Sequence, residues 1–318
     1  MLGRYLRVFA LLGALSPASG YAQEFPTKPM TLVVPFSAGG SNDVVARYVA
    51  QELSSLFGQP MVIENRPGGG TSVGAMHVAR AEPDGHTLLL ASSSYATNAA
   101  SRTDLPFDPV KDLVPVGIAG NGDIMVLGSA KLNVRSLQEL AQKAKEGKLF
   151  YGTTGAGGNM HFYGELLNDA LGVSMTPVSY PGGSEAYLDL VANRVDVTVG
   201  AVAGGLASVP SGAVPLAILG RDRAAALPNV PTAAEAGYPN ALADNYWTIF
   251  APAATPPATV QKLHDGIQKV MSSADGKAFL AKLDARPVDM NPADVEKNLI
   301  DSIEYWKGLA KKMGLIKG

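Results

Sequence analysis

The 318-residue chain contains no cysteine. This excludes disulfides, cysteine-held metals, thiol nucleophiles and a lipid anchor on an N-terminal cysteine. Charge is also sparse: 17% of residues, with 26 Lys and Arg against 28 Asp and Glu. Such a balance argues against nucleic acid, which rewards a basic face. It leaves an anionic ligand open, because backbone dipoles can hold one. The four histidines (His77, His86, His161, His264) show no i, i+4 pairing, so no metal site is expected. No nucleophile–base pair calls for catalysis. Beyond the N-terminus, no segment of membrane-spanning length is free of Gly, Pro and charge.

Glycine (35) and proline (22) are abundant, as expected of many tight turns between apolar elements. The chain opens with Arg4 and Arg7, the apolar run Val8 to Leu15, and the small residues Ser19-Gly20-Tyr21-Ala22. That order reads as a secretory signal peptide over 1–22, cleaved after Ala22, which directs the protein to the periplasm. Removing it takes away two arginines and no acids, moving the net charge from −2 to −4. The rest is long enough for two lobes of ordinary domain size. Without disulfides, an exported chain must be stable through its core alone.

The pattern is strand, glycine turn, helix, repeated. Thr31 to Phe36 is a short apolar run of the kind buried on both faces of a parallel sheet. Val45, Val49, Leu53 and Leu56 then form one helical stripe that stops at Gly58. Strands follow at Met61 to Ile63 and Thr87 to Ala91, with a helix through Val78 between them. From Val114 to Gly128 the regularity weakens into strand-like pieces interrupted by Gly117, Gly120 and Gly122. A second series opens at the capping-box sequence Ser136-Leu137-Gln138-Glu139. It continues through a strand at Leu149 to Tyr151, helices from Met160 and Ser184, and strands at Val195 to Val199 and Pro215 to Leu219. Asn245 to Phe250 is an isolated β-prone run, after which the chain is helical, with a last helix starting at Asn291-Pro292. Alternating units of this kind predict a parallel sheet in each series. The expected fold is α/β with two lobes, two crossover hinge strands and C-terminal helices. Lobe one covers 23–123 and 249–318, and lobe two covers 124–248.

Two glycine turns stand out, one in each series: Pro35 to Asp43 and Gly152 to Asn159. Each leads from a buried strand into a helix. Gly39 and Gly40 permit close approach of a ligand, and Ser41 or Asn42 can cap the helix. A helix start leaves N–H groups unpaired at the positive end of the helix dipole, so it attracts a carboxylate or phosphate. Either turn alone is as well explained as an ordinary βα connection; the pair makes the better case for an anion held between lobes. Gly155-x-Gly157 lacks the third glycine of a dinucleotide fingerprint, that place being Met160, so no cofactor is expected. Gly68-Gly69-Gly70 lacks the Lys-Ser/Thr of a nucleotide-binding loop. Tyr246 and Trp247 are either core residues or a stacking surface near the cleft.

The first turn and its helix, Pro35 to Arg47, resemble the opening motif of the tripartite tricarboxylate transporter receptors, also called Bug-type receptors. Val62 to Gly70, Ala81 to Leu89, Phe107 to Leu113, Leu227 to Gly237 and Phe250 to Pro256 look like further landmarks of that family. The resemblance implies a type II two-lobed periplasmic binding protein, monomeric, that closes on a carboxylate and delivers it to membrane permease subunits. It implies that one carboxylate is held by the first turn (Phe36, Ser37, Ala38, Gly39, Gly40, Asn42, Asp43) and the second (Thr153, Thr154, Gly155, Gly158, Asn159, His161). It further implies that Ser92, Ser93, Ala201 and Val202 select the rest of the ligand; Trp247, on its expected crossover strand, would lie near the cleft. Where many relatives carry Asp, this chain has Ala201. That lowers the expectation of an amino-acid ligand and favours a less polar body, such as an aliphatic or aromatic dicarboxylate. Two alternatives share these features: a sensor presenting ligand to a membrane kinase, and an exported enzyme on the same scaffold.

Overall fold

Short apolar runs become strands, and the glycine turns after them start helices. The structure is a computed structural model that describes residues 25–316; the leader at 1–22 lies outside the described residues. The first series is β1 (Met30–Val34), α1 (Ser41–Phe57), β2 (Met61–Asn65), α2 (Ser72–Ala79), β3 (Thr87–Ala91), α3 (Ser94–Ser101) and β4 (Leu113–Gly128). The second is α4 (Leu137–Glu146), β5 (Phe150–Thr153), α5 (Asn159–Leu171), β6 (Thr176–Ser179), α6 (Gly183–Val191), β7 (Val197–Ala201), α7 (Val202–Gly205) and β8 (Val214–Ile218). The chain then returns through β9 (Asp244–Pro252), α8 (Pro257–Met271), α9 (Ala274–Ala281), β10 (Ala285–Arg286) and α10 (Pro292–Lys312).

Strand order is β2-β1-β3-β9-β4-β7-β5-β6, with β8 and β10 also paired to β4. β1 is parallel to β2 and β3, and β5 is parallel to β6 and β7. The sheet is therefore parallel within each lobe, as expected. The crossing strands are not: β9 runs antiparallel to β3 and β4, and β4 antiparallel to β7 and β8. Residues Leu113 to Asp123 of β4 pair with β9, and Ile124 to Gly128 pair with β7. β9 is paired with strands of the first series from Asp244 onward.

Burial follows the strand alternation. In β1, Leu32 and Val34 join the core under α1 and α8, while Val33 faces the core on the other side of the sheet. The stripe Val45, Val49, Leu53 of α1 is wholly buried, and the helix ends at Gly58 in a left-handed conformation (φ 69°). Ser136 caps α4 by accepting the Glu139 N–H, and the Glu139 carboxylate returns to Arg135 N–H at 2.7 Å.

The pieces expected between Val114 and Gly128 are one 16-residue strand. Its glycines are places where a neighbour fills the position of a side chain. A Cβ on Gly117, Gly120 or Gly122 would meet Ile267, Leu280 or Trp247 at 3.2, 2.7 and 3.0 Å. Register shifts between Pro115 and Gly117 and between Ile118 and Gly120 absorb the local irregularity. Five elements go unanticipated: α3, the four-residue α7, the separate α9, the two-residue β10, and the short edge strand β6, whose Pro177 and half-exposed pattern give little signal.

The last helix ties the lobes together. α10 packs on α3 and touches α5, with Trp306 edge-on to Phe162 and Tyr163 at 5.5 and 5.8 Å. Within lobe two, Gly164 lets α5 lie directly against the buried Tyr151 ring of β5, and an added Cβ would overlap that ring. Gly164→Ala should therefore destabilise the protein by about 1–3 kcal/mol, lowering the midpoint of thermal unfolding by several degrees. An unchanged midpoint by calorimetry would contradict this packing.

Candidate functional site

Parallel registers place the key turns side by side. β1 and β3 are adjacent, so the turn after β1 and Ser92-Ser93 after β3 emerge from the same edge. β5 and β7 are adjacent, so the turn after β5 lies beside Ala201 at the end of β7. These are the carboxyl ends of parallel strands, where open α/β sheets bind ligands.

In the first turn Phe36 is half-buried, while Ser37, Ala38, Gly39 and Gly40 are exposed. Gly39 has φ +89°, and nothing lies within 4 Å of a Cβ placed on Gly39 or Gly40. Gly40 is the N-cap of α1 and supplies no side-chain cap. The N–H groups of Ser41, Asn42 and Asp43 thus have no acceptor within the helix, at its positive end. The Asp43 side chain is turned into the protein. It is buried at 3% exposure, and its Oδ2 accepts the Gly39 N–H at 3.0 Å and Arg47 Nε at 2.8 Å. Its Oδ1 accepts Arg47 Nη2 and Asn65 Nδ2, and Asn65 Nδ2 also donates to Phe36 O at 3.1 Å. Burial pushes the carboxyl up, but these donors outweigh it and hold Asp43 below the usual carboxylate range. Asp43 therefore shapes the turn as an ion.

The second turn repeats this device with different chemistry. Gly158 is the N-cap of α5, and His161 occupies the position that Asp43 holds in α1. Its Nδ1 accepts the Gly157 N–H at 3.2 Å. Gly155 and Gly157 have φ +98° and +79°, and Thr153 Oγ1 accepts the Gly155 N–H at 2.9 Å. More amides are engaged here than in the first turn. Gly158 N–H bonds to Gly155 O, Met160 N–H to Asn159 Oδ1 and His161 N–H to Gly158 O. Thr154 is half-buried and would lie 2.6 Å from a Cβ on Gly158. Burial lowers the His161 pKa, with Glu165 partly opposing it, so the ring is neutral around pH 7.

The remaining expected residues divide. Ser92 is buried with its hydroxyl on that of Ser94 at 2.8 Å. Ser93 Oγ accepts Tyr246 N–H at 3.0 Å and donates to Asp244 O, fastening β3 to the start of β9. Ala201 is half-buried at the strand end, and its carbonyl accepts the Tyr187 hydroxyl at 3.4 Å. The Val202 side chain is wholly buried in the lobe-two core with Met160 and Tyr187. Trp247 is wholly buried in the lobe-one core over Gly122, so its ring offers no face for stacking. Alternation along β9 turns Tyr246 the other way, into a cavity of 250 Å³ shared with Ser93, Asp244 and α10. Asn65, Arg47, Tyr187 and Ser101 are the positioning residues that sequence reasoning missed. Of these, only Arg47 left a signal, its i, i+4 spacing from Asp43. Ser101, at the end of α3, brings lobe one against the second turn: its Oγ would be 2.8 Å from a Cβ on Gly157.

Comparison with known proteins places this geometry. Residues 45–315 match the family described as tripartite tricarboxylate transporter family receptor. Protein BugT of Bordetella pertussis is 32% identical over 97% of this chain and 98% of its own. Among solved structures, MatC of Rhodopseudomonas palustris with bound malate is 29% identical with a TM-score of 0.82, over 90% of this chain and all of that one. A second R. palustris protein, solved with adipate, is 31% identical with a TM-score of 0.85, over 92% and 99%.

Gly40 offers a clean probe of the first turn. Its φ of −79° suits any residue and its surroundings are open, so Gly40→Ala should fold with an unchanged thermal midpoint. A ligand seated on these amides should nevertheless bind about tenfold more weakly, a loss of ~1.4 kcal/mol by titration calorimetry. Unaltered affinity would remove the first turn from the site.

Proposed function

Because the chain belongs to the tripartite tricarboxylate transporter receptors, the Bug-type solute-binding family, we propose that it captures a small organic dicarboxylate between its lobes and delivers it to membrane permease subunits. The receptors of this family are periplasmic binding proteins, and the signal peptide read over 1–22 supports export of this one. The observation that carries the reading is the pair of glycine-capped helix starts, each with its turn held by the third helical residue. The first turn, with more free amides, holds one carboxylate, and the second closes on it from lobe two. No guanidinium is needed: Arg47 and Arg102 are paired with Asp43 and Asp104.

Selectivity comes from the end of β7. Ala201 presents a methyl group where an acidic side chain would recruit an ammonium, so the rest of the ligand is aliphatic or aromatic. Malate and adipate in the two R. palustris proteins support the dicarboxylate class. Closure occurs about the two crossings, where β4 changes partners between Asp123 and Ile124 and where β9 begins at Asp244. Lobe two then spans about 124–243. Ligand favours the closed form by its differential affinity for it, and the closed form is what the permease recognises.

A thermal-shift screen with adipate, malate, phthalate and aspartate tests this reading. A bound dicarboxylate at about 100 times its dissociation constant should add ~2.7 kcal/mol of stability, with aspartate ineffective. Small-angle scattering should then show a smaller radius of gyration. Stabilisation by aspartate alone, or binding without compaction, would overturn the proposal.

A further inference from the structure

Asp43 and His161 hold equivalent positions, the third residue of a helix that opens on a glycine turn. Each accepts the N–H of a left-handed glycine four residues earlier: Gly39 at 3.0 Å and Gly157 at 3.2 Å. A carboxylate accepts in its ionised form at any pH near neutrality. An imidazole accepts at Nδ1 only while that nitrogen is unprotonated. The hydrogen bond thus dictates the tautomer, leaving Nε2 to carry the proton.

We propose that His161 is a positioning residue for lobe two's anion turn, which holds its binding geometry only while His161 is the neutral Nε2–H tautomer. The link to ligand rests on the carboxylate reading given above; the turn and its tautomer do not. Gly157 alone could not hold this shape, because its φ of +79° is one of several that glycine adopts at similar cost. The Nδ1 acceptor selects one of them. The groups facing the imidazole are Tyr151 on β5, stacked at 6.4 Å, and Glu165 on the next turn of α5, which accepts the Tyr151 hydroxyl at 2.6 Å. From α3 the neighbour is the neutral Ser101 hydroxyl beside Gly157, and from α10 it is Trp306 against Phe162 and Tyr163. Protonation of Nδ1 sets two donors against each other and frees the turn, whereas the Asp43 lock in lobe one is unaffected.

The two lobes are therefore locked with different pH ranges. Burial favours neutral His161, so its contribution to stability is complete above the ordinary histidine range. It is lost as pH falls below that range toward the folded pKa.

The test uses the full-length mature protein. In the ligand-free state, nitrogen-15 NMR of the imidazole at about pH 8 should show Nδ1 unprotonated and Nε2 protonated. On acidification the Gly157 amide should shift with the same midpoint as the His161 ring. His161→Asn keeps an acceptor at the same distance from the backbone and cannot titrate; His161→Leu removes the acceptor. With adipate as the probe at about pH 8, the Asn variant should bind within about threefold of the native protein, and the Leu variant about tenfold or more weakly. A proton on Nδ1, a Gly157 amide indifferent to His161, or equal losses in the two variants would overturn the proposal. The native-protein titration keeps the test decisive should the Leu variant fail to fold. Failure of adipate to bind the native protein would count against the dicarboxylate reading, while the ligand-free measurements still decide the lock.

Discussion

Both lobes depend on a single strand. β4 carries β9 and β10 along its first part and β7 and β8 along its second, so the two sheets share one continuous backbone. Backbone hydrogen bonds fix each lobe to its own part of that strand, and the proposed closure turns on the change of partners at Asp123 and on the start of β9. The side chains there are polar for a structural reason. Asp123 is almost fully buried yet accepts Arg286 Nη1 with both oxygens, at 3.0 and 3.1 Å. Burial pushes its pKa up against the opposing effect of Arg286. Asp284 accepts the Ala226 amide at 2.8 Å, a bond from the C-terminal part of the chain to lobe two. A crossing held by directional polar contacts can bend without exposing apolar core.

The same economy appears in the anion turns. On the proposed reading, a chain of negative net charge provides for a carboxylate by orienting amides, its nearby arginines being paired internally. Amide donors recognise the charge and shape of a carboxylate, and carry no information about what it is attached to. On that reading discrimination falls to neighbouring positions such as Ala201, and the site divides into a generic anchor and a variable remainder.

Much of this was legible in the sequence, and the exceptions have physical causes. Apolar runs flanked by glycine located β1, β3, β5 and β7, and the stripe ending at Gly58 located α1. Glycine misled within β4: the residues that looked like breaks are where Leu280 and Trp247 press on the backbone, a fact visible only with both partners in place. Both glycine turns were read correctly as strand-to-helix turns. The direction of side chains was not readable: Asp43, Val202 and Trp247 turn inward because of strand alternation, helix phase and partners distant in sequence. Ser93 serves the crossing by binding β9, more than 150 positions along the chain.

The two tryptophans occupy unlike surroundings. Trp247 is sealed in the lobe-one core, whereas Trp306 lies where α10 meets the aromatic rings of α5, and Tyr163 on α5 reaches Asp244 O at 3.3 Å. Intrinsic emission therefore combines Trp247, held in the lobe-one core, with Trp306 at the contact between α10 and α5. If the proposed closure moves α5 against α10, Trp306 emission follows it, and the protein would carry its own optical gauge of lobe rotation without an attached dye.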